Sequence, residues 1–418
     1  MFNNCFDVII IGSGMSGLYS AYKIKKNNPN ASFLILEKFK KQWIGGRTSN
    51  EMFNGVQIVT GAGIGRKDTN PLLIKLMNQL NIKYSEFESI ISYSKMLTPI
   101  DIIKIINKLK LEYKIHTELH NKTFKEFGIK ILGHNLYKQF ILNSGYTDFE
   151  DADIYETLYN YGMDDNTGGW TGLHIPWQKL VNKLYDTIDK KHFKFSSNVI
   201  QIKKINKNPC LFEIKTDNNI IYYSNKVIIA TTISGIQKLV PGALKKNSLY
   251  QQIHGQPFLR LYAKFDNKSS EIIKKYVPNY TIVPGPLQKI IPIDKNKGIY
   301  MISYNDNKNS LILKNYLKNT SKNRELYCEL LEKSLGIPEG QLTIIEIKDY
   351  YWPIGTHYYE PLRNNFKNRN DFLNKIQHPE EGMLVVGEAV STYQGWVEGA
   401  LESVNSVLTK KWMNEQCQ

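Results

Sequence analysis

The chain has 418 residues, 42% of them hydrophobic and 22% charged, which excludes a disordered or collagen-like polymer and lets the chain bury a core without disulfide staples. Its formal net charge of +15 invites a nucleic-acid or membrane partner. The excess is lysine scattered among Asn and Ile, as at Lys23, Lys25 and Lys26, with no arginine block, zinc-finger spacing or RNA-binding signature. Solvated surface lysines are therefore the simpler reading, and no specific nucleic-acid partner is expected.

The first predicted strand is Phe6-Asp7-Val8-Ile9-Ile10-Ile11, a β-branched run suited to burial on both faces. It leads into a glycine turn rather than a cleavage site, so it does not read as a signal peptide. Gly12-Ser13-Gly14-Met15-Ser16-Gly17 follows, then the helical segment Leu18–Ile24, then a second strand Phe33–Leu36 ending at Glu37. Between strand and helix, with an acid at this distance, G-x-G-x-x-G predicts a dinucleotide site. Gly12 permits the tight turn, Gly14 lets a pyrophosphate approach the backbone, and Gly17 lets helix and strand pack closely. Ser16 lies in the first turn, whose free N–H groups face the phosphates. Glu37 is placed for a ribose with a free 2′-hydroxyl, with Lys38 beside it.

Gly45-Gly46-Arg47-Thr48 comes next. It resembles the second FAD signature of glutathione-reductase-type flavoproteins, in which paired glycines bring backbone to the flavin side and the arginine neutralises pyrophosphate charge. Downstream, Thr98-Pro99 reads as N-cap and first residue of a helix with Ile102, Ile103, Ile106 and Leu109 as its apolar stripe. Helical character continues to about Tyr161. Val199–Ile202 reads as a strand. Phe212–Thr216 and Ile220–Tyr223 form a hairpin, Val227–Ala230 a buried strand, and Leu259–Phe265 an alternating one. No second G-x-G-x-x-G occurs between them, which disfavours a separate NADPH domain. Near the far end, Met383–Val386 is a buried strand closed by Gly387-Glu388, and a helix is expected to start near Trp396-Val397.

The pieces Asp7–Gly17, Glu37, Gly45–Thr48 and Gly387–Ser403, with Gly-Trp-Val-Glu-Gly-Ala-Leu-Glu-Ser the most specific among them, resemble the flavin-containing amine oxidase superfamily of monoamine and polyamine oxidases, L-amino-acid oxidases and tryptophan monooxygenases. The resemblance implies an α/β fold: a Rossmann-type, glutathione-reductase-like FAD-binding domain (residues 1–85, 170–250 and 375–418) interleaved with an α+β substrate domain (86–169 and 251–374) carrying a helical insert. It implies FAD held by Gly12, Gly14, Ser16, Gly17, Glu37, Lys38, Gly45, Gly46, Arg47, Thr48, Val199, Gly387, Glu388, Trp396 and Val397. It also implies an aromatic cage at the flavin face, made by Trp396 with Tyr358 or Tyr359. Arg260, or less directly Lys264, stands where the family commonly has a lysine that holds a water near flavin N5. A guanidinium there would suit a substrate carboxylate, and an ordinary strand arginine is the alternative.

Family members that bind FAD covalently use a cysteine in the aromatic segment, and none lies between Cys328 and Cys417, so the FAD is expected to be noncovalent. The implied activity is oxidation of the C–N bond of a small amine or amino acid to an imine, with O2 reduced to H2O2. The alternatives are a desaturase-like or protoporphyrinogen-oxidase-like enzyme on the same scaffold, or a catalytically weak basic flavoprotein with a structural or virion role. Cys5, Cys210, Cys328 and Cys417 form no C-x-x-C pair, which fits reduced thiols in a cytosol-like compartment. No run approaches the ~20 apolar residues of a membrane span. The Lys/Asn/Ile/Tyr bias is that of an AT-rich genome and suits a giant-virus member, which would place the protein in host cytoplasm or virion.

Overall fold

The computed structural model describes residues 5–163, 167–207, 210–363 and 366–415. Its first sheet has seven strands built around Cys5–Ile11. That strand pairs in parallel with Phe33–Leu36 on one side and Ile221–Ile229 on the other. Because both faces are covered, Val8 to Ile11 are all buried and show no polar alternation. Val8 and Ile10 pack against the helices Met15–Asn27, Trp177–Ile188 and Val397–Val407. Ile9 and Ile11 face the opposite layer, with Ile233–Leu239 and Arg369–Gln377. The period of two along one strand thus serves two helical layers, the arrangement of a Rossmann-type α/β fold.

The expected hairpin is present: Ile221–Ile229 pairs antiparallel with Cys210–Thr216 along its first half. Its last three residues pair in parallel with Met383–Val385, which brings the far end of the chain beside the N-terminal strand. Val199–Lys207 continues the sheet beyond the hairpin, and Phe193–Lys194 closes the other edge.

The second sheet has six strands in the order Ile344–Tyr359, Ile253–Phe265, Ile299–Asp306, Lys289–Asp294, Tyr280–Ile282, Ile91–Tyr93. One face buries Leu259, Leu261 and Tyr300 against Ile273 and Leu331 of the helices Asn267–Tyr276 and Ser321–Leu335. The chain therefore alternates between the two sheets, as an α/β unit interleaved with an α+β one requires.

Three helices, Ile102–Ile115, Phe124–Ser144 and Ile154–Tyr159, form the insert around Phe124, Phe127, Phe140 and Phe149. Thr98-Pro99 does not open the first of them. Asp101 caps it instead, its carboxylate accepting from the N–H of Lys104 at 2.9 Å, a stronger cap than a hydroxyl three residues upstream. The cysteine reading also changes: Cys328 is a buried free thiol, but Cys5 is disulfide-bonded. Among the described residues no helix is long and apolar enough to cross a membrane.

Candidate active site

A cavity of about 1080 Å³ runs between the two sheets. One end is built by backbone. Gly12 adopts φ +104°, and its N–H donates to Leu36 O at 2.9 Å, closing the turn onto the neighbouring strand. Gly45 donates to Ser13 O at 2.9 Å, so the paired glycines dock directly on the glycine-rich turn, and Thr48 Oγ1 closes that second turn by donating to Gly45 O. Gly12, Gly14, Ser16, Glu37, Lys38, Gly45, Gly46, Arg47, Thr48 and Val199 all line the cavity. Gly17 does not; it faces the strand, where its hydrogen lies against Gly12. Glu37 is buried and accepts from Ser13 N–H and Oγ, both at 2.7 Å, and from Phe39 N–H. A carboxylate accepts about four hydrogen bonds, so one remains for a ribose hydroxyl.

The C-terminal segment completes the middle of the cavity with Gly387, Glu388, Trp396 and Val397. Trp396 is the N-cap of Val397–Val407, so a second helix N-terminus lines the same space as the first. Glu388 does more than its backbone role: its carboxylate accepts from His357 N–H and Nδ1 and from Gly395 N–H, and pairs with Arg47 at 3.4 Å. Burial opposes its ionisation, but His357, Arg47 and the Gly395 N–H outweigh burial and hold its pKa down at about 2. Arg47 also donates to Gly355 O, so much of its guanidinium serves the protein rather than a phosphate. His357 Nε2 accepts from Ile233 N–H, and both of its ring nitrogens are thus occupied.

At the other end the cavity is lined by side chains from distant segments. Arg260 lines it from the strand Ile253–Phe265, its Nε donating to Gly61 O at 2.6 Å. Tyr304 is its register partner on the neighbouring strand, and the guanidinium carbon lies 4.3 Å from that ring's centre. Lys264, the weaker alternative, pairs outward with Lys297 O and is outside the cavity lining. Tyr358 and Tyr359 are also outside it. Tyr358 stacks on His254. Tyr359 is buried in the first sheet's core, its hydroxyl donating to Ala389 O and Ser391 O. The register of Ile344–Tyr359 against Ile253–Phe265 shifts between Gln256 and Phe258, and the cavity is lined by Tyr351 to Thr356, ahead of the two tyrosines. Trp352, whose Nε1 donates to Thr60 O, is among the aromatic residues of this strand that do line the cavity.

Arg66 is the residue the sequence reading passed over. It follows Gly61-Ala62-Gly63 by three residues, and an arginine closing so glycine-rich a run was the available signal. It is buried, lines the cavity, and stacks between Trp170 and Trp396, with its guanidinium carbon 3.7 Å from the centre of the Trp396 ring. Burial lowers its pKa to about 10, so it is cationic at neutral pH. Tyr146, Asp148 and Tyr161, from the segments that follow the second and third helices of the insert, finish this end.

The model of the flavin containing amine oxidoreductase family matches residues 108–404, more than half of the chain, and that of the NAD(P)-binding Rossmann-like domain matches residues 10–80. The chain belongs to the flavin containing amine oxidoreductases. It is 22% identical to an uncharacterized protein of Acanthamoeba polyphaga mimivirus, over 98% of this chain and 94% of that one. Two solved structures of putrescine oxidase with redesigned cofactor binding share the fold at TM-score 0.73, with 13% and 12% identity over 96% of this chain and 97% and 98% of theirs.

The cavity fits the flavin dinucleotide the family implies. Nothing stands within 4 Å of where a Cβ of Gly14 would point, leaving the space a pyrophosphate needs beside two helix N-termini. Glu37 has an acceptor position to spare for a ribose hydroxyl.

Proposed function

We propose that the protein is a noncovalent FAD-dependent oxidase of the C–N bond of an L-amino acid. The observation that carries the reading is the pair of buried guanidinium groups, Arg66 and Arg260, lining the substrate end of a flavin-family cavity. Two fixed cations there attract a carboxylate and repel a diamine, so the putrescine named for the structural relatives is disfavoured as a substrate.

Bound FAD would accept the hydride equivalent from the α-carbon and pass the electrons to O2, releasing H2O2. The chain's own residues do the rest. Arg66, stacked on Trp396, and Arg260, stacked on Tyr304, would clamp the carboxylate and so fix the α-carbon's position. The aromatic walls of Trp352, Trp396 and Tyr304 exclude water from the reacting bond. Glu388 and Arg47 lock the C-terminal turn against the paired glycines, holding the Trp396 helix start in place.

Anaerobic addition of L-leucine, L-phenylalanine, L-lysine or L-glutamate is expected to bleach the flavin of the FAD-loaded protein, and readmitted air to yield peroxide. Their decarboxylated counterparts and putrescine should react far more slowly. Equal rates with and without the carboxylate, or no bleaching by any of them, would refute the reading. Acid precipitation of the same preparation should leave all of the flavin in the supernatant, since no cysteine lies in the segment between Cys328 and Cys417 and His357 has both ring nitrogens engaged. Yellow colour retained in the washed pellet would contradict noncovalent binding.

A further inference from the structure

Three carboxylates line the cavity among the described residues, Glu37, Asp148 and Glu388. Glu37 belongs to the dinucleotide end, and Glu388 is consumed by His357, Arg47 and Gly395. Asp148 stands at the substrate end. Its carboxylate accepts one side-chain hydrogen bond, from the Tyr161 hydroxyl at 2.5 Å, and has acceptor capacity left over. Its buried neighbour Asp306 is differently placed: it takes the N–H and hydroxyl of Thr147 and the side-chain amide of Gln288. Lys289, fully buried with its Nζ over the rings of Tyr146 and Tyr304, lies in the field of both carboxylates, and burial pulls its pKa down to about 7 against their attraction.

An amino acid arrives with its nitrogen protonated, and a C–H bond beside an ammonium cannot give up hydride, because no lone pair is free to stabilise the carbon. A group in the cavity must take that proton. We propose that Asp148 is the base that receives it. The N–H bond of the substrate ammonium breaks and an O–H bond forms on Asp148, turning R–NH3+ and a carboxylate into R–NH2 and a carboxylic acid with no change of oxidation state. The proposal rests on the amino-acid reading above.

The placement follows from substrate geometry. Carboxylate and ammonium sit on the same carbon. Arg260 lies over the Tyr304 ring, and Asp148 lines the same end of the cavity as Arg66, Arg260 and Tyr304, so groups for the anion and for the cation face one space. Every element around Asp148 contributes to its titration. Burial and then Asp306 raise its pKa to about 7, while the Tyr161 hydroxyl and Lys289 pull it down. A base near neutrality can both take the proton and return it.

The test uses the FAD-loaded full chain and whichever of L-leucine, L-phenylalanine, L-lysine and L-glutamate bleaches fastest, followed anaerobically across the pH range. Wild type should lose rate as pH falls through about 7, where Asp148 becomes protonated, and stay level above it. Asp148→Asn should be slower at neutral pH by on the order of 10²-fold and gain about tenfold per pH unit as free amine accumulates in solution. Tyr161→Phe removes the hydrogen bond that lowers the Asp148 pKa, so the acid limb should move to higher pH even if the asparagine variant fails to fold. Infrared pH-difference spectra should show a carboxylic-acid band at the same midpoint without turnover, absent from Asp148→Asn. An acid limb unmoved in both variants overturns the assignment of Asp148 and leaves the amino-acid reading standing. A wild type bleached by none of the four acids removes both.

Discussion

Arg66→Met is expected to lower kcat/KM for the preferred L-amino acid by on the order of 10²–10³-fold, mainly through KM, while the rate with the decarboxylated amine stays level or rises. The methionine keeps an apolar chain between Trp170 and Trp396, so the stack is replaced rather than emptied. What disappears is a buried cation. Removing one partner of a desolvated charge pair costs about 2–5 kcal/mol, because the other charge then enters a low-dielectric space uncompensated. At 1.36 kcal/mol per decade, the middle of that range is the stated loss. For the decarboxylated amine the sign reverses: one of the two repelling cations has gone. A steady-state comparison of acid and amine with both proteins decides the matter. Equal losses for the two would mean that Arg66 supports the fold of the site and does not select its substrate.

The same contrast explains what could be read from the chain alone. Gly12, Gly45 and Gly387 were legible because each answers a local backbone demand, a positive φ in a tight turn, which is written in the residue itself. The Rossmann-type layers were legible because four consecutive apolar residues at Val8–Ile11 leave no face for water. Glu388 was read for its backbone, yet its carboxylate ties three segments together, a role that only tertiary structure creates.

The substrate end was least legible. Asp148, Tyr304 and Trp352 lie far apart in sequence and meet because two sheets and an insert converge. Tyr358 and Tyr359 were plausible from their neighbourhood, but the cavity is lined by Tyr351 to Thr356, the stretch of the edge strand Ile344–Tyr359 where its register against Ile253–Phe265 shifts, and a shift of that kind leaves no mark in composition. The opening charge of +15 divides in the same way. Most of it is dispersed lysine, while the cations assigned to a substrate, Arg66 and Arg260, are buried arginines inside the fold.

Two glycines three residues apart, Gly14 and Gly17, should fail in opposite ways when given a methyl group. At Gly17 a Cβ would lie 2.0 Å from Gly12 O and 3.0 Å from Gly12 C, both backbone atoms. Gly12 cannot retreat: its N–H is bonded to Leu36 O and its φ is +104°. Relief requires the helix Met15–Asn27 to move off its strand by more than about 1 Å, to restore ordinary van der Waals separation. Overpacking of this kind costs about 1–3 kcal/mol, and rigid backbone on both sides puts Gly17→Ala at the upper end. The loss should appear in urea melts of the apoprotein, before any FAD is added. At Gly14 the φ of −68° suits any residue, and nothing stands within 4 Å of the added methyl. Gly14→Ala should therefore melt like wild type as apoprotein, yet its methyl occupies the space where the pyrophosphate must approach the backbone, and FAD titration should show weakening of at least about tenfold. Wild-type FAD affinity in Gly14→Ala would move the dinucleotide away from this turn, and wild-type apoprotein stability in Gly17→Ala would mean that the helix yields more easily than its contacts imply.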